Sequence, residues 1–220
     1  MHEEQTPLAV DADHVITSGS LLAGYFTAHA LGGARCAVLG PSDSEQYVVQ
    51  AGGRICPATD PFDVLVIGDE AGYPFLATAD AALTTLFRQL DLGRTVHLVL
   101  PNPDRFYPAA ADGFGFASGS VAAMFEAAIE ARYPGRPPLR FARLGKPEAP
   151  MFAEALRRTG TRDVVVIGDQ LETDIRGAGR FGLDSALVRT GGASAALDGV
   201  PADLRPTYVM RSVRPARHRR

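Results

Sequence analysis

Short apolar runs alternate along this chain with longer stretches whose apolar residues recur at helical spacing. That alternation predicts an α/β fold, because each strand-helix-strand crossover lays a parallel strand beside an earlier one and a helix over the sheet. Strands are expected at 14–18 (HVITS), 35–40 (RCAVLG), 63–69 (DVLVIGD), 95–101 (TVHLVLP), 139–145 (LRFARLG), 163–169 (DVVVIGD) and 185–191 (SALVRTG). Helices are expected over 19–31, 43–52, 75–91, 119–132, 149–159 and 174–182. The first opens behind a Thr-Ser-Gly turn and the fifth follows Pro147, both helix-start signals. Gly and Pro punctuate the joins, as in GGAR, PNPDRFYP and YPGRPP.

Composition narrows the class. With 220 residues, 46% hydrophobic and 21% charged, the chain can bury one large core or two small ones. No apolar run reaches the roughly 18 residues a membrane span needs. The N-terminus, MHEEQTPLAVDAD, lacks the basic and apolar blocks of a signal peptide, so a cytoplasmic protein is expected. Cys36 and Cys56 have neither ligand nor redox spacing and read as buried free thiols. A net charge of −3 argues against general nucleic-acid affinity, and the basic end, 214–220, reads as a disordered solvated tail.

The least ordinary stretch runs from 164 to 191. Val164 to Ile167 lead into Gly168, after which Asp169 and Asp174 stand five apart. Acidic residues where a parallel strand ends lie in the crevice that open α/β sheets use for ligands. Two carboxylates there suit a hard cation such as Mg²⁺, which takes one or two of them together with waters and phosphate oxygens. Capping of a helix beginning near 172, with Thr173, is the other role the spacing allows. Lys146, in a Gly-Lys-Pro turn 23 residues before Asp169, is placed by one strand-helix crossover at a neighbouring strand end. A Lys fixed there can neutralise a phosphoryl group as a compact point charge.

GKPEAPMFAEAL followed by VVVIGDQLETDIRGAGRFGLDSALVRTG resembles the third and fourth motifs of the haloacid dehalogenase-like (HAD) superfamily. The likeness is to class IIA, which contains pyridoxal phosphate, phosphoglycolate and p-nitrophenyl phosphatases. VITSGSLLAGYF is similar to the segment before that class's cap, and DVLVIGDEAGYPF, VLPNPDRFYP and GFGFASGSVAAMFEAA are similar to successive parts of the cap. The resemblance implies a Mg²⁺-dependent phosphohydrolase acting on a small phosphorylated metabolite, with a Rossmann-like core, an inserted α/β cap and dimers formed through the cap. It assigns residues 1–34 and 143–213 to the core and 35–142 to the cap. It also makes Lys146 the phosphoryl-neutralising lysine, Asp169 the metal ligand and Asp174 a supporting acid.

The resemblance also implies an attacking Asp on a first core strand, which lies beside VVVIGD, and a second strand after it. Only sixteen residues precede Thr17, so both strands are expected to be missing and the chain to be inactive as it stands. LAVDADHVITSG offers a substitute, with Asp11 and Asp13 two apart as nucleophile and acid, although His14 stands where the motif has Gly. In the cap, Asn102, Asp104, Phe106 and Tyr107 of PNPDRFYP either reach the substrate or shape a turn, and Gly113, Gly115 and Gly119 suggest close backbone approach. Three roles therefore stay open: a phosphohydrolase needing an upstream nucleophile, a binding module without turnover, and an enzyme that uses Asp11.

Overall fold

The computed structural model describes residues 11–110, 112–189 and 199–213. The expected disordered tail, 214–220, lies outside the described residues.

Two parallel sheets organise the chain. β1 (Arg35–Leu39), β2 (Arg54–Ile55), β3 (Val64–Ile67), β4 (His97–Leu100) and β7 (Ala142–Arg143) form the first, in the order β2-β1-β3-β4-β7. Between β4 and β7, β5 (Phe106–Pro108) and β6 (Phe114–Phe116) make a separate antiparallel hairpin. β8 (Val165–Gly168), β9 (Asp184–Val188) and β10 (Tyr208–Met210) form the second sheet, in the order β10-β9-β8.

Helices cover both faces of the larger sheet, which is why all four residues of β3 are buried. Leu65 and Ile67 face α3 (Phe75–Asp91) and α4 (Ser118–Arg132), joining Ala82, Leu86 and Phe125 in one core. Val64 and Val66 face the other way, toward Leu22 and Phe26 of α1 (Leu22–Ala28) and Val48 of α2 (Ser42–Gln50). Each fully buried side chain of this size contributes roughly 1.5–3 kcal/mol.

The second sheet is covered by α5 (Ala149–Thr159) and the short α6 (Arg176–Arg180). Pro150 sits in the first turn of α5, and Gly160 ends it at φ 69°, a left-handed stop that glycine accepts without steric cost. Phe152, Val164, Val166, Ala178 and Leu183 form the core between helices and strands. Met151 packs into this core and into the α1–α2 core, tying the two sheets together. On the opposite face of β8, Val165 and Ile167 are 46% and 52% exposed, and among the described residues β8 pairs only with β9. A groove of about 420 Å³ runs between that open edge and α5.

Three expectations from sequence need correcting. Residues 14–18 are not a strand: a 3-10 turn spans Ala12–His14 and another Gly19–Leu21. The carbonyls of Asp13 and Val15 accept hydrogen bonds from Arg158 Nη1 at 3.0 and 2.9 Å, so side-chain donors replace a strand neighbour. The strand expected over 139–145 shrinks to Ala142–Arg143, because the Phe141 N–H is taken by the buried Glu126 carboxylate at 2.9 Å. The helix expected from 174 begins as a wider π-helical turn at Leu171–Ile175 before α6.

Candidate active site

The end of β8 is built around a missing side chain. A Cβ on Gly168 would lie 2.3 Å from the Cβ, Cγ and Oδ2 of Asp174, so only glycine lets that carboxyl fold back against the strand end. There Asp174 is 5% exposed. Its Oδ1 accepts a hydrogen bond from Lys146 Nζ at 2.5 Å and its Oδ2 one from the Gln170 N–H at 3.2 Å. A buried carboxylate without such partners is costly, and the amine and the amide supply them. Neither Asp169 nor Asp174 is an N-cap, since the π-helical turn starts behind Gln170 with no side-chain cap bond.

Lys146 follows β7 directly, and Gly145 makes that placement possible. A Cβ there would sit 2.7 Å from the Pro101 carbonyl oxygen. The loop after β4 therefore packs on the Lys146 turn, bringing Asp104 into the field of both Lys146 and Asp174. Burial raises the Asp104 carboxyl above its ordinary value, with Lys146 pulling it down and Asp174 pushing it up. Asn102 serves the loop itself, its Oδ1 accepting the Asp104 N–H at 3.2 Å.

Asp169 is exposed and has no hydrogen-bond or ion-pair partner among the described residues. It adjoins Gly168, the residue against which the Lys146-bound Asp174 packs. Among those residues no group of three or more His, Cys, Asp or Glu is gathered as a metal cage. A cation here has one or two carboxylates to use, the donor set that a hydrated magnesium ion carrying phosphate oxygens accepts.

Other residues singled out in the sequence lie apart. Asp13 is held by Arg158, in the last turn of α5, whereas Lys146 precedes its first. Phe106 and Tyr107 stand exposed on the hairpin, where Phe106 meets Phe114 edge-on at 5.9 Å. The glycines mark the expected close approaches: a Cβ on Gly115 would strike the Tyr107 ring, and one on Gly119 the carbonyls of Pro103 and Asp104. Cys36 is buried and its thiol is pushed up to about 12 by burial, while Cys56 is half-buried.

Sequence reasoning missed a second strand end of the same design. VLVIGD at 64–69 repeats the Ile-Gly-Asp ending of VVVIGD at 164–169, and that repetition was the available signal. β3 ends in it beside β1, and Asp69 Oδ1 accepts the N–H groups of Glu70 and Ala71 at 2.7 and 3.2 Å.

Residues 143–216 match the HAD-hydrolase-like family model. Over that segment the chain is HAD-like. It is 31% identical over 205 residues to a D-glycerol 3-phosphate phosphatase of Mycobacterium tuberculosis, covering 92% of this chain and 53% of that protein. A dihydroxyacetone phosphatase of Corynebacterium glutamicum is 32% identical over 179 residues, covering 80% of this chain and 58% of its own length. The chain thus spans little more than half the length of these relatives. Among solved structures, a magnesium complex of glycerol phosphate phosphatase from M. tuberculosis superposes with a TM-score of 0.74 at 28% identity, covering 92% of this chain and 58% of that one. A p-nitrophenyl phosphatase from Archaeoglobus fulgidus gives 0.70 at 25% identity, covering 93% and 74%. These neighbours are class IIA HAD phosphatases, in keeping with the α/β fold and parallel sheets. No helix among the described residues is long and apolar enough to cross a membrane.

Proposed function

We propose that this chain carries the phosphate- and magnesium-binding half of a cytoplasmic phosphohydrolase acting on a small phosphate ester. The observation that carries the proposal is the Lys146–Asp174 contact of 2.5 Å at the rim of β8, with the unpaired Asp169 beside Gly168. Residues 35–142 are taken as the cap, and residues 1–34 and 143–213 as part of the core. Relatives named as glycerol 3-phosphate and dihydroxyacetone phosphatases make a phosphorylated three-carbon metabolite the favoured substrate class.

In this mechanism Lys146 neutralises phosphoryl oxygens that would otherwise repel an incoming carboxylate. Asp174, nearly buried, accepts the amine's hydrogen bond and keeps the amine aimed. Asp169 is the residue that would hold Mg²⁺, and the ion, when bound, supplies positive charge to the phosphoryl oxygens. The attacking carboxylate is placed on a further strand lying along the open edge of β8, because splitting the reaction through a covalent intermediate needs a nucleophile at this rim. Copies of the chain are taken to associate through the exposed aromatic hairpin of the cap.

The test is magnesium-dependent phosphate release. A version extended upstream in frame should release phosphate from glycerol 3-phosphate while residues 1–220 alone do not. Release by residues 1–220 that disappears in Asp11→Asn would transfer the role to Asp11. A binding module without turnover is the second possibility, favoured by the unpaired edge of β8; it predicts magnesium-dependent phosphate binding and no release from either version.

A further inference from the structure

The larger sheet has its own ligand crevice. From β1 the chain turns to β2 on one side, and from β3 it crosses to β4 on the other, so the carboxyl ends of β1 and β3 flank a topological switch point. Open α/β sheets bind ligands at such points. A cavity of about 220 Å³ lies there, lined by Ser18, Asp43, Ser44, Gly68, Asp69 and Pro101 among others. Pro101 joins it to the phosphate site, because its carbonyl oxygen packs where a Gly145 side chain would stand.

The crevice is shaped around Ser44. A Cβ on Gly40 or on Gly68 would lie 2.6 Å from the Ser44 Oγ, so both strand ends must be glycine for that side chain to sit across them. Neither the Ser18 nor the Ser44 hydroxyl has a hydrogen-bond partner among the described residues. Asp69 Oδ1 is occupied by two backbone N–H groups, whereas Oδ2 accepts nothing among the described residues. The wall opposite is closed by the Thr17 hydroxyl donating to the Tyr47 oxygen at 3.0 Å.

We infer that this crevice is the subsite for the organic part of the ester and that it selects a neutral polyol, an inference that rests on the phosphohydrolase proposal above. Asp43 and Asp69 repel anionic groups, so the phosphoryl end stays at Lys146 and a second acid on the substrate is disfavoured. Carboxylate and free hydroxyls together match the donors and acceptors of substrate hydroxyl groups. The size agrees: about 220 Å³ falls below the ~300–1,000 Å³ of sites for drug-sized ligands and holds the equivalent of about seven waters, close to a three-carbon polyol. Asp69 and Ser44 are therefore specificity residues at a distance from the chemistry.

The experiment is calorimetric titration of the 220-residue chain, with Mg²⁺ present, by inorganic phosphate, glycerol 3-phosphate and phosphoglycolate. Glycerol 3-phosphate should bind more tightly than either of the others. Asp69→Asn keeps the turn, because its amide oxygen still accepts the Glu70 and Ala71 N–H groups, and should weaken glycerol 3-phosphate about tenfold, as loss of one charge-assisted hydrogen bond does. It should also tighten phosphoglycolate and leave inorganic phosphate little changed. Ser44→Ala should weaken glycerol 3-phosphate by a smaller factor. If phosphate binds but glycerol 3-phosphate gains nothing over it, or both variants leave that gain intact, the crevice is not the subsite while the Lys146 site stands. If no phosphate binds, the phosphohydrolase proposal and this inference fall together.

Discussion

Adding one methyl group at Gly168 should disable the site and loosen the fold. In Gly168→Ala the new Cβ lies 2.3 Å from three side-chain atoms of Asp174, while ordinary contact begins at 3.4 Å, so the carboxyl must retreat by about 1 Å. A retreat of that size stretches the 2.5 Å bond from Lys146 toward the limit of a hydrogen bond and also strips the 3.2 Å bond from the Gln170 N–H. Overpacking costs about 1–3 kcal/mol and loss of a charge-assisted hydrogen bond about 1.5–3. Lys146 is 44% exposed and can re-solvate, so the lower part of that range applies, roughly 2–4 kcal/mol together. At about 2–4 °C per kcal/mol for a chain of this length, the melting temperature should fall by roughly 5–15 °C. Differential scanning calorimetry reads it, with Gly24→Ala as the control. Gly24 lies within α1 with nothing within 4 Å, so alanine there should raise stability by about 0.5–1 kcal/mol. Combining Gly168→Ala with Asp174→Gly removes the collision partner, so the double variant should show a smaller effect of the alanine than the wild-type background does. A Gly168→Ala protein that melts like wild type, or an effect undiminished by Asp174→Gly, refutes the packing argument.

Other outcomes follow from the same geometry. Asp104→Asn removes a negative charge that Lys146 and Asp174 both feel, and phosphate affinity measured by calorimetry at neutral pH should rise about fivefold, the equivalent of ~1 kcal/mol. Because burial raises the Asp104 carboxyl, acidification should protonate it above the ordinary carboxylate range and narrow the gap between wild type and Asp104→Asn. Arg157, foremost, and Arg158 hold Glu154 down to about 2, below its ordinary 4.5. A depressed carboxyl contributes stability that is fully present above pH 4.5 and is lost as pH falls toward 2, so Glu154→Gln should melt more like wild type in acid than at pH 7. Arg158→Ala removes the donor to the carbonyls of Asp13 and Val15 and should raise hydrogen exchange in residues 12–18, while β3 stays protected.

Much of the fold was legible because burial on both faces leaves an unambiguous mark. VLVI at 64–67 and HLVL at 97–100 are continuous apolar runs between turn residues, and both are strands; FLATADAALTTLFRQLD at 75–91 has helical spacing without Gly or Pro, and is α3 from end to end. The failures fall where local pattern competes with partners that sequence does not show. HVITS has strand-like residues but finds Arg158 as its hydrogen-bond partner, and LRFARLG loses its Phe141 amide to Glu126. The hairpin of Phe106 and Phe114 was invisible because both its strands are exposed, so no apolar face alternates with a polar one. β10, three residues long, takes its structure from pairing with β9. Lys146 and Asp174 were readable from motif and spacing, but the carboxyl folded over Gly168 is a three-dimensional fact. Asp69 went unread although its Ile-Gly-Asp ending duplicates the one that drew attention to Asp169.

The central claim, that the Lys146 amine and the Asp169 carboxylate share one magnesium-dependent phosphate site at the rim of β8, is tested most directly by titrating inorganic phosphate into the chain with and without Mg²⁺. Heat of binding should appear only with the metal and should vanish in Lys146→Ala and in Asp169→Asn, both of which should still fold. Phosphate binding that ignores magnesium, or that survives both substitutions, contradicts the claim.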